Sequence, residues 1–168
     1  MPQVTIRAAQ RGDSALISQF VRELAIYEKL EHEMVATGAD FERDLFGETP
    51  RAEVFFVCED EVEVGFALFF FNYSTFEGRV GIHLEDLFVR PAFRGRGYGK
   101  TLIVAIARRA IEMGCARFEW TVLDWNVDAI AVYRALGAQA MDEWTIQRVS
   151  GAALEAVAAR PLPGETAE

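Results

Sequence analysis

The chain has 168 residues, 51% of them hydrophobic and 26% charged, which suits one folded domain with a full core and leaves no room for a second of ordinary size. Its 17 Lys and Arg against 26 Asp and Glu give a net charge of −9, which argues against nucleic acid as a partner, because phosphate binding needs a basic footprint. No apolar run is long enough to span a bilayer, and the N-terminal MPQVTIRAAQRGD lacks a signal peptide's apolar core, so no membrane contact and a cytoplasmic address are the expectation by elimination.

In chain order, Val4–Ala8 reads as a short strand. A helix follows from Asp13 to about Leu30, with Leu16, Ile17, Phe20, Leu24 and Tyr27 at helical spacing. Thr37 to Phe46 reads as a second helix, stopped by Gly47 and Pro50. Glu53–Glu59 is a strand, and the acidic turn Asp60–Glu61 leads into a longer one from about Val62 to Tyr73. The near-continuous apolar run Phe66–Phe71 predicts burial on both faces, as in a central strand. Val80–Val89 is the next strand, after the turn at Gly78.

A glycine-rich loop, Arg94–Lys100, then opens a helix through Leu102, Ile103, Ile106, Ala110 and Met113, which Gly114 stops. Arg117–Val122 is a strand. Asn126 is an N-cap with Asp128 in the first turn, giving a helix to Leu136. A last strand is expected over Trp144–Val149 and helix over Ala152–Ala159. Residues 160–168, with two prolines and a glycine, read as a flexible tail, leaving one domain over 1–159. The order predicts an α/β fold, a mixed sheet covered by helices on both faces. Cys58 and Cys115 lie far apart, outside any metal-ligand spacing, and read as buried small hydrophobes; no metal is implied.

The most informative segment is Leu84-Glu-Asp-Leu-Phe-Val-Arg-Pro-Ala-Phe-Arg-Gly-Arg-Gly-Tyr-Gly-Lys100. A strand runs into a loop holding Gly95, Gly97 and Gly99, and a helix starts there. Glycines let backbone approach a ligand closely, the helix N-terminus supplies unpaired N–H groups and partial positive charge, and Arg94, Arg96 and Lys100 add full charges. Together they describe a pyrophosphate cradle. The spacing is not that of a P-loop, despite Lys100-Thr101.

Arg94-x-x-Gly97-x-Gly99 matches the acyl-CoA signature of the GNAT superfamily, and the element order resembles that fold. More narrowly, the chain resembles the spermidine/spermine and thialysine (diamine) N-acetyltransferases in Ile6-Arg7-Ala8-Ala9, Glu23–Glu28, Gly65-Phe66-Ala67, Leu84–Val89, Trp125-Asn126 and Val132–Ala138. The resemblance implies that the backbone of the Leu87-Phe88-Val89 stretch pairs with the pantetheine arm of acetyl-CoA. The Arg94-Gly95-Arg96-Gly97-Tyr98-Gly99-Lys100 loop would hold the pyrophosphate, and Asn126 would meet the pantetheine further along. It also implies a homodimer.

Acetyl transfer needs a neutral amine, although a lysine-like amine has a pKa of about 10.4. It also needs a polarised thioester oxygen and an acid for the leaving thiolate. The resemblance makes Tyr133 that acid and Glu85 the base, acting through water in a direct ternary-complex transfer. Neighbours on a regular strand face opposite ways, so Glu85 and Asp86 can both line a site only if a bulge interrupts the strand near Glu85–Leu87. Tyr27 and Glu28, at the end of the first helix, would help hold a distal cation of a small amine substrate. Phe76 is a candidate wall, and Trp144 either closes the pocket or fills core. A different acceptor (amino acid, aminoglycoside or protein N-terminus) and a non-catalytic acyl-CoA-binding module are the alternatives.

Overall fold

The structure, a computed structural model, describes residues 2–163; the expected tail over 160–168 therefore lies partly outside the described residues. The chain divides into two compact units, Met1–Val127 and Asp128–Glu168. The first holds β1 (Val4–Ala8), α1 (Ser14–Glu28), α2 (Gly38–Phe46), β2 (Glu53–Glu59), β3 (Val62–Ser74), β4 (Arg79–Val89), α3 (Tyr98–Glu112) and β5 (Phe118–Trp120). The strands form one sheet in the order β1-β2-β3-β4-β5. Every neighbouring pair is antiparallel except β4 and β5, which run parallel. A parallel pair needs a crossover, and α3 supplies it.

Each face of the sheet has its own core. On one, Val57, Val64, Ala67, Phe69, Ile82 and Leu84 pack against Tyr98, Leu102, Ile106 and Ala110 of α3. On the other, Val54, Phe56, Phe66 and Phe88 pack against Ile17, Phe20 and Leu24 of α1 and Leu45 of α2. The central β3 serves both: Phe66 enters one core and Ala67 and Phe69 the other. The expected burial does not reach the end of the apolar run, since Phe70 is half-buried and Phe71 exposed. Phe20, Phe56, Phe66 and Phe69 are fully buried, each stabilising the fold by about 2–3 kcal/mol.

Local chemistry sets the helix ends. Thr37 and Asp40 form a reciprocal capping box at the start of α2. Lys29 takes a left-handed conformation (φ 62°) after α1, and Leu30 N–H then reaches back to the Ala25 carbonyl at 2.8 Å. This turn fixes where the end of α1, with Tyr27 and Glu28, lies against the sheet.

Helix α4 (Val127–Ala135) starts on the last residue of the first unit, and α5 (Gly151–Ala158) lies in the second. The strand expected over Trp144–Val149 is not formed. The alternating pattern is there, but a strand exists only through a ladder with a partner, and none is described for this segment. Likewise β5 is shorter than the expected Arg117–Val122 because only Phe118–Trp120 pairs with β4. Among the described residues no helix is long and apolar enough to cross a membrane.

Candidate active site

The bulge that the sequence requires lies in β4. Phe69 pairs with Leu84 and Leu68 with Asp86, so Glu85 is the extra residue. Leu84 belongs to the α3-side core and Leu87 packs against it. Two residues instead of one separate them, and both Glu85 and Asp86 turn away from that core. The two carboxylates therefore share the α1 side of the sheet, where regular alternation would have split them.

Their environments differ. Glu85 is exposed, with Oε2 3.9 Å from Nε2 of His83. Asp86 is partly buried, and its carboxyl is pushed up to about 7, first by burial and then by the charges of Glu85 and Glu28. Glu28, at the end of α1, is also raised, by burial. The structure thus joins Glu28, Glu85 and Asp86 into one acidic cluster, containing a carboxyl that exchanges its proton near neutrality.

Beside the cluster the sheet opens. The β4–β5 ladder covers only Ile82 to Leu84, whereas β4 continues to Val89 against β3. One edge of β4 from Glu85 to Val89, including Leu87 and Phe88, therefore has no strand beside it among the described residues. Beyond it, Gly95 (φ 75°) and Gly97 (φ 86°) take left-handed backbone that favours glycine. Gly97 is the N-cap of α3, and a Cβ at either glycine, or at Gly99, would meet open space. A free strand edge leading to an uncrowded loop at a helix N-terminus fits an extended arm ending in a pyrophosphate. The side chains present therefore suit acetyl-CoA.

The loop is anchored by a residue that the sequence reading passes over. Glu59, at the end of β2, receives Arg96 Nη1 on both carboxylate oxygens at 3.0 Å and also accepts from the Tyr98 hydroxyl. Tyr98 is itself buried, and the Glu59 bond holds its phenol above its ordinary value. Lys100 is exposed on the first turn of α3.

Arg94 donates from Nε to the Val89 carbonyl at 2.9 Å, and its guanidinium lies 4.1 Å from the ring centre of Tyr27. Tyr27 in turn lies 6.1 Å from Trp125 and 6.2 Å from Phe88. The sequence reading assigns Tyr27 to the substrate's distal cation. In the structure one face of that ring belongs to Arg94, and Tyr27 ties α1 to the glycine loop. Phe76 is fully exposed in the β3–β4 turn, and the first half of β4, Arg79–Leu84, separates it from Glu85, so within one chain it does not join the acids. Asn126 is partly buried just before α4.

In the second unit, Tyr133 is partly buried on α4, and burial pushes its phenol up; it holds its proton throughout the neutral range, as an acid must. Trp144 is 77% exposed and so does not fill core. Trp120, by contrast, packs on the α3-side core. Cys58 is buried and Cys115 partly so, and burial raises both thiols, which leaves them poor nucleophiles.

The site's parentage is borne out by comparison. The model of the acetyltransferase (GNAT) family matches residues 20–138. Thialysine N-epsilon-acetyltransferase of Bos taurus is 38% identical, over 95% of this chain and 100% of that protein. L-ornithine N5-acetyltransferase of Arabidopsis thaliana is 32% identical, over 90% of this chain and 86% of its own. Among solved structures, an integron cassette protein from the mobile metagenome of V. cholerae superposes with a TM-score of 0.79 at 25% identity, covering 94% of this chain and 98% of that one. An aminoglycoside N-acetyltransferase in complex with CoA shares the fold, with a TM-score of 0.71 at 21% identity over 89% of this chain and 96% of that one. The chain belongs to the GNAT acetyltransferase family and is an acetyl-CoA-dependent N-acetyltransferase.

Proposed function

We propose that the protein acetylates a primary amine of a small cationic substrate of the polyamine, diamine or thialysine type, by direct transfer in a ternary complex. The observation that carries this reading is the bulge at Glu85, which sets two carboxylates on one face beside the free edge of β4. The names of the thialysine and ornithine relatives agree with it, and the acidic cluster suits a cation better than a neutral acceptor.

Acetyl-CoA, when bound, supplies the thioester. The chain's own groups do the rest. The backbone of Leu87 and Val89 holds the pantetheine arm and polarises the thioester oxygen. The Arg94–Lys100 loop takes the pyrophosphate, with Asn126 further along the arm. Glu28 and Asp86 draw in the ammonium. Glu85, through water, accepts the proton that must leave before the nitrogen can attack. Asp86 beside it, with its carboxyl near 7, takes that proton on from the water. Tyr133 protonates the departing sulfur.

A homodimer belongs to the same reading. The segment Trp144–Val149 exposes Trp144, Ile146 and Val149, a surface that a second copy covers in this reading, with Phe76 then lining the partner's site. Sedimentation at micromolar concentration checks this: a dimer is expected, and a clean monomer removes it.

The test of the mechanism compares Tyr133→Phe and Glu85→Gln with wild type. Each is expected to keep acetyl-CoA binding and to lose about 100-fold or more in turnover. Full turnover in both variants refutes these assignments. Binding without turnover in wild type, whatever the amine, favours a non-catalytic acyl-CoA-binding module instead.

A further inference from the structure

The polar face continues past the two carboxylates. In the parallel ladder Ile82 lies beside Phe118 and His83 beside Glu119. Phe118 and Trp120 pack on the α3-side core, so Arg117 and Glu119 project from the opposite face, the one that carries Glu85 and Asp86. There Asn72 donates from Nδ2 to Glu119 Oε1 at 2.7 Å, and Arg117 Nε lies 3.5 Å from the same oxygen. Asn72 Oδ1 is buried with no hydrogen-bond partner among the described residues. The amide thus presents its donor to Glu119 and leaves its own acceptor unsatisfied, which is unfavourable. Gly81 makes the packing possible, since a Cβ there would come within 2.4 Å of Asn72 Oδ1 and 2.9 Å of Arg117 Cγ.

The result is a braced carboxylate and a guanidinium side by side, 41% and 42% exposed. Besides Glu119, Arg117 makes one long contact among the described residues, Nη2 to the Tyr73 carbonyl at 3.5 Å. A guanidinium carries more donors than these use, and the exposed ion pair itself is weak.

We propose that Arg117 and Glu119, braced by Asn72, form the subsite for the far end of the amine substrate, and that this end is an α-amino acid group. Glu119 receives the α-ammonium and Arg117 the α-carboxylate. The inference rests on the amine-acetylation reading above and names which member of that substrate class fits. Spacing agrees. Arg117 lies alongside Gly81, four residues before Glu85, which is about 13 Å of strand. A lysine-length chain spans about 7 Å from its terminal nitrogen to its carboxyl carbon, with about 3 Å of hydrogen bond at either end. A diamine of the same length offers Arg117 no anion and brings it a second cation, which disfavours the wrong partner.

The test uses matched pairs that differ only in the carboxylate, L-lysine against cadaverine and L-ornithine against putrescine, at saturating acetyl-CoA. Wild type is expected to favour the amino acid in kcat/KM by about tenfold or more. Arg117→Gln is expected to abolish that preference, chiefly by raising KM for the amino acid, and Arg117→Lys to restore part of it. A merely structural role would lower both members of a pair together and leave the ratio in place. Preference for the diamines in wild type, or an unchanged ratio in Arg117→Gln, overturns the inference while amine acetylation stands. Acetylation of no amine at all overturns the reading beneath it as well.

Discussion

Asp86 concentrates the chemistry into one side chain. Its carboxyl moves from an ordinary 3.8 to about 7, so the folded state binds that proton more tightly than the unfolded chain does. Stability contributed here is therefore present at low pH, falls as pH rises between those two values, and levels off above 7. Asp86→Asn is expected to raise stability at pH 8 by about 2 kcal/mol, the full linkage value being discounted for partial exposure, while lowering kcat/KM. Denaturant melts at pH 5 and pH 8 check the sign, and a variant less stable at pH 8 would contradict it. In wild type the same group gives kcat/KM an acid limb centred near pH 7, which Asp86→Asn removes. The sequence makes this pair legible as a pair, because Glu85 and Asp86 stand in an otherwise apolar strand. The shift itself comes first from burial, then from the neighbouring Glu85, and then from Glu28, more than fifty positions away; only the Glu85 contribution is visible in the local pattern.

Among the elements, the β4–α3 connection shows how motif and support differ in legibility. Arg94-x-x-Gly97-x-Gly99 is readable in part because the backbone demands glycine at Gly97, whose φ is 86°. Gly97→Ala is expected to lower stability by about 1 kcal/mol and to raise KM for acetyl-CoA; an unchanged KM would detach the loop from cofactor binding. The brace beneath it is not readable. Glu59 ends a strand next to Asp60 and Glu61 and looks like one more solvated acid, until the fold brings it to Arg96 and Tyr98. Glu59→Gln removes the charge from this clamp. Its expected signature is a several-fold rise in KM for acetyl-CoA with KM for the amine little changed, read from initial rates with each substrate varied. Arg117 and Glu119 are a further case: their alternation with Phe118 and Trp120 marks a two-faced strand, but which face meets Glu85 depends on a parallel register that only the folded sheet supplies.

Across the whole molecule, the sheet order follows from apolar patterning. β3 is central because Phe66 to Phe71 has apolar residues for both faces, and the strands beside it have turn signals that make antiparallel pairing the short path. What fails is the segment Trp144–Val149, where the pattern of a strand is present without a partner among the described residues to complete it. The chain thus combines a net charge of −9 with a local basic cluster at Arg94, Arg96 and Lys100, and in the proposed reading this keeps an anionic cofactor and a cationic acceptor on separate parts of the same sheet. The most direct test of this account is the release of free thiol from acetyl-CoA in the presence of spermidine, spermine, putrescine, lysine, thialysine and one aminoglycoside. The account predicts rapid release with a small cationic amine, with one acetyl group added to that amine. No release with any of them, in protein that binds acetyl-CoA, would contradict it.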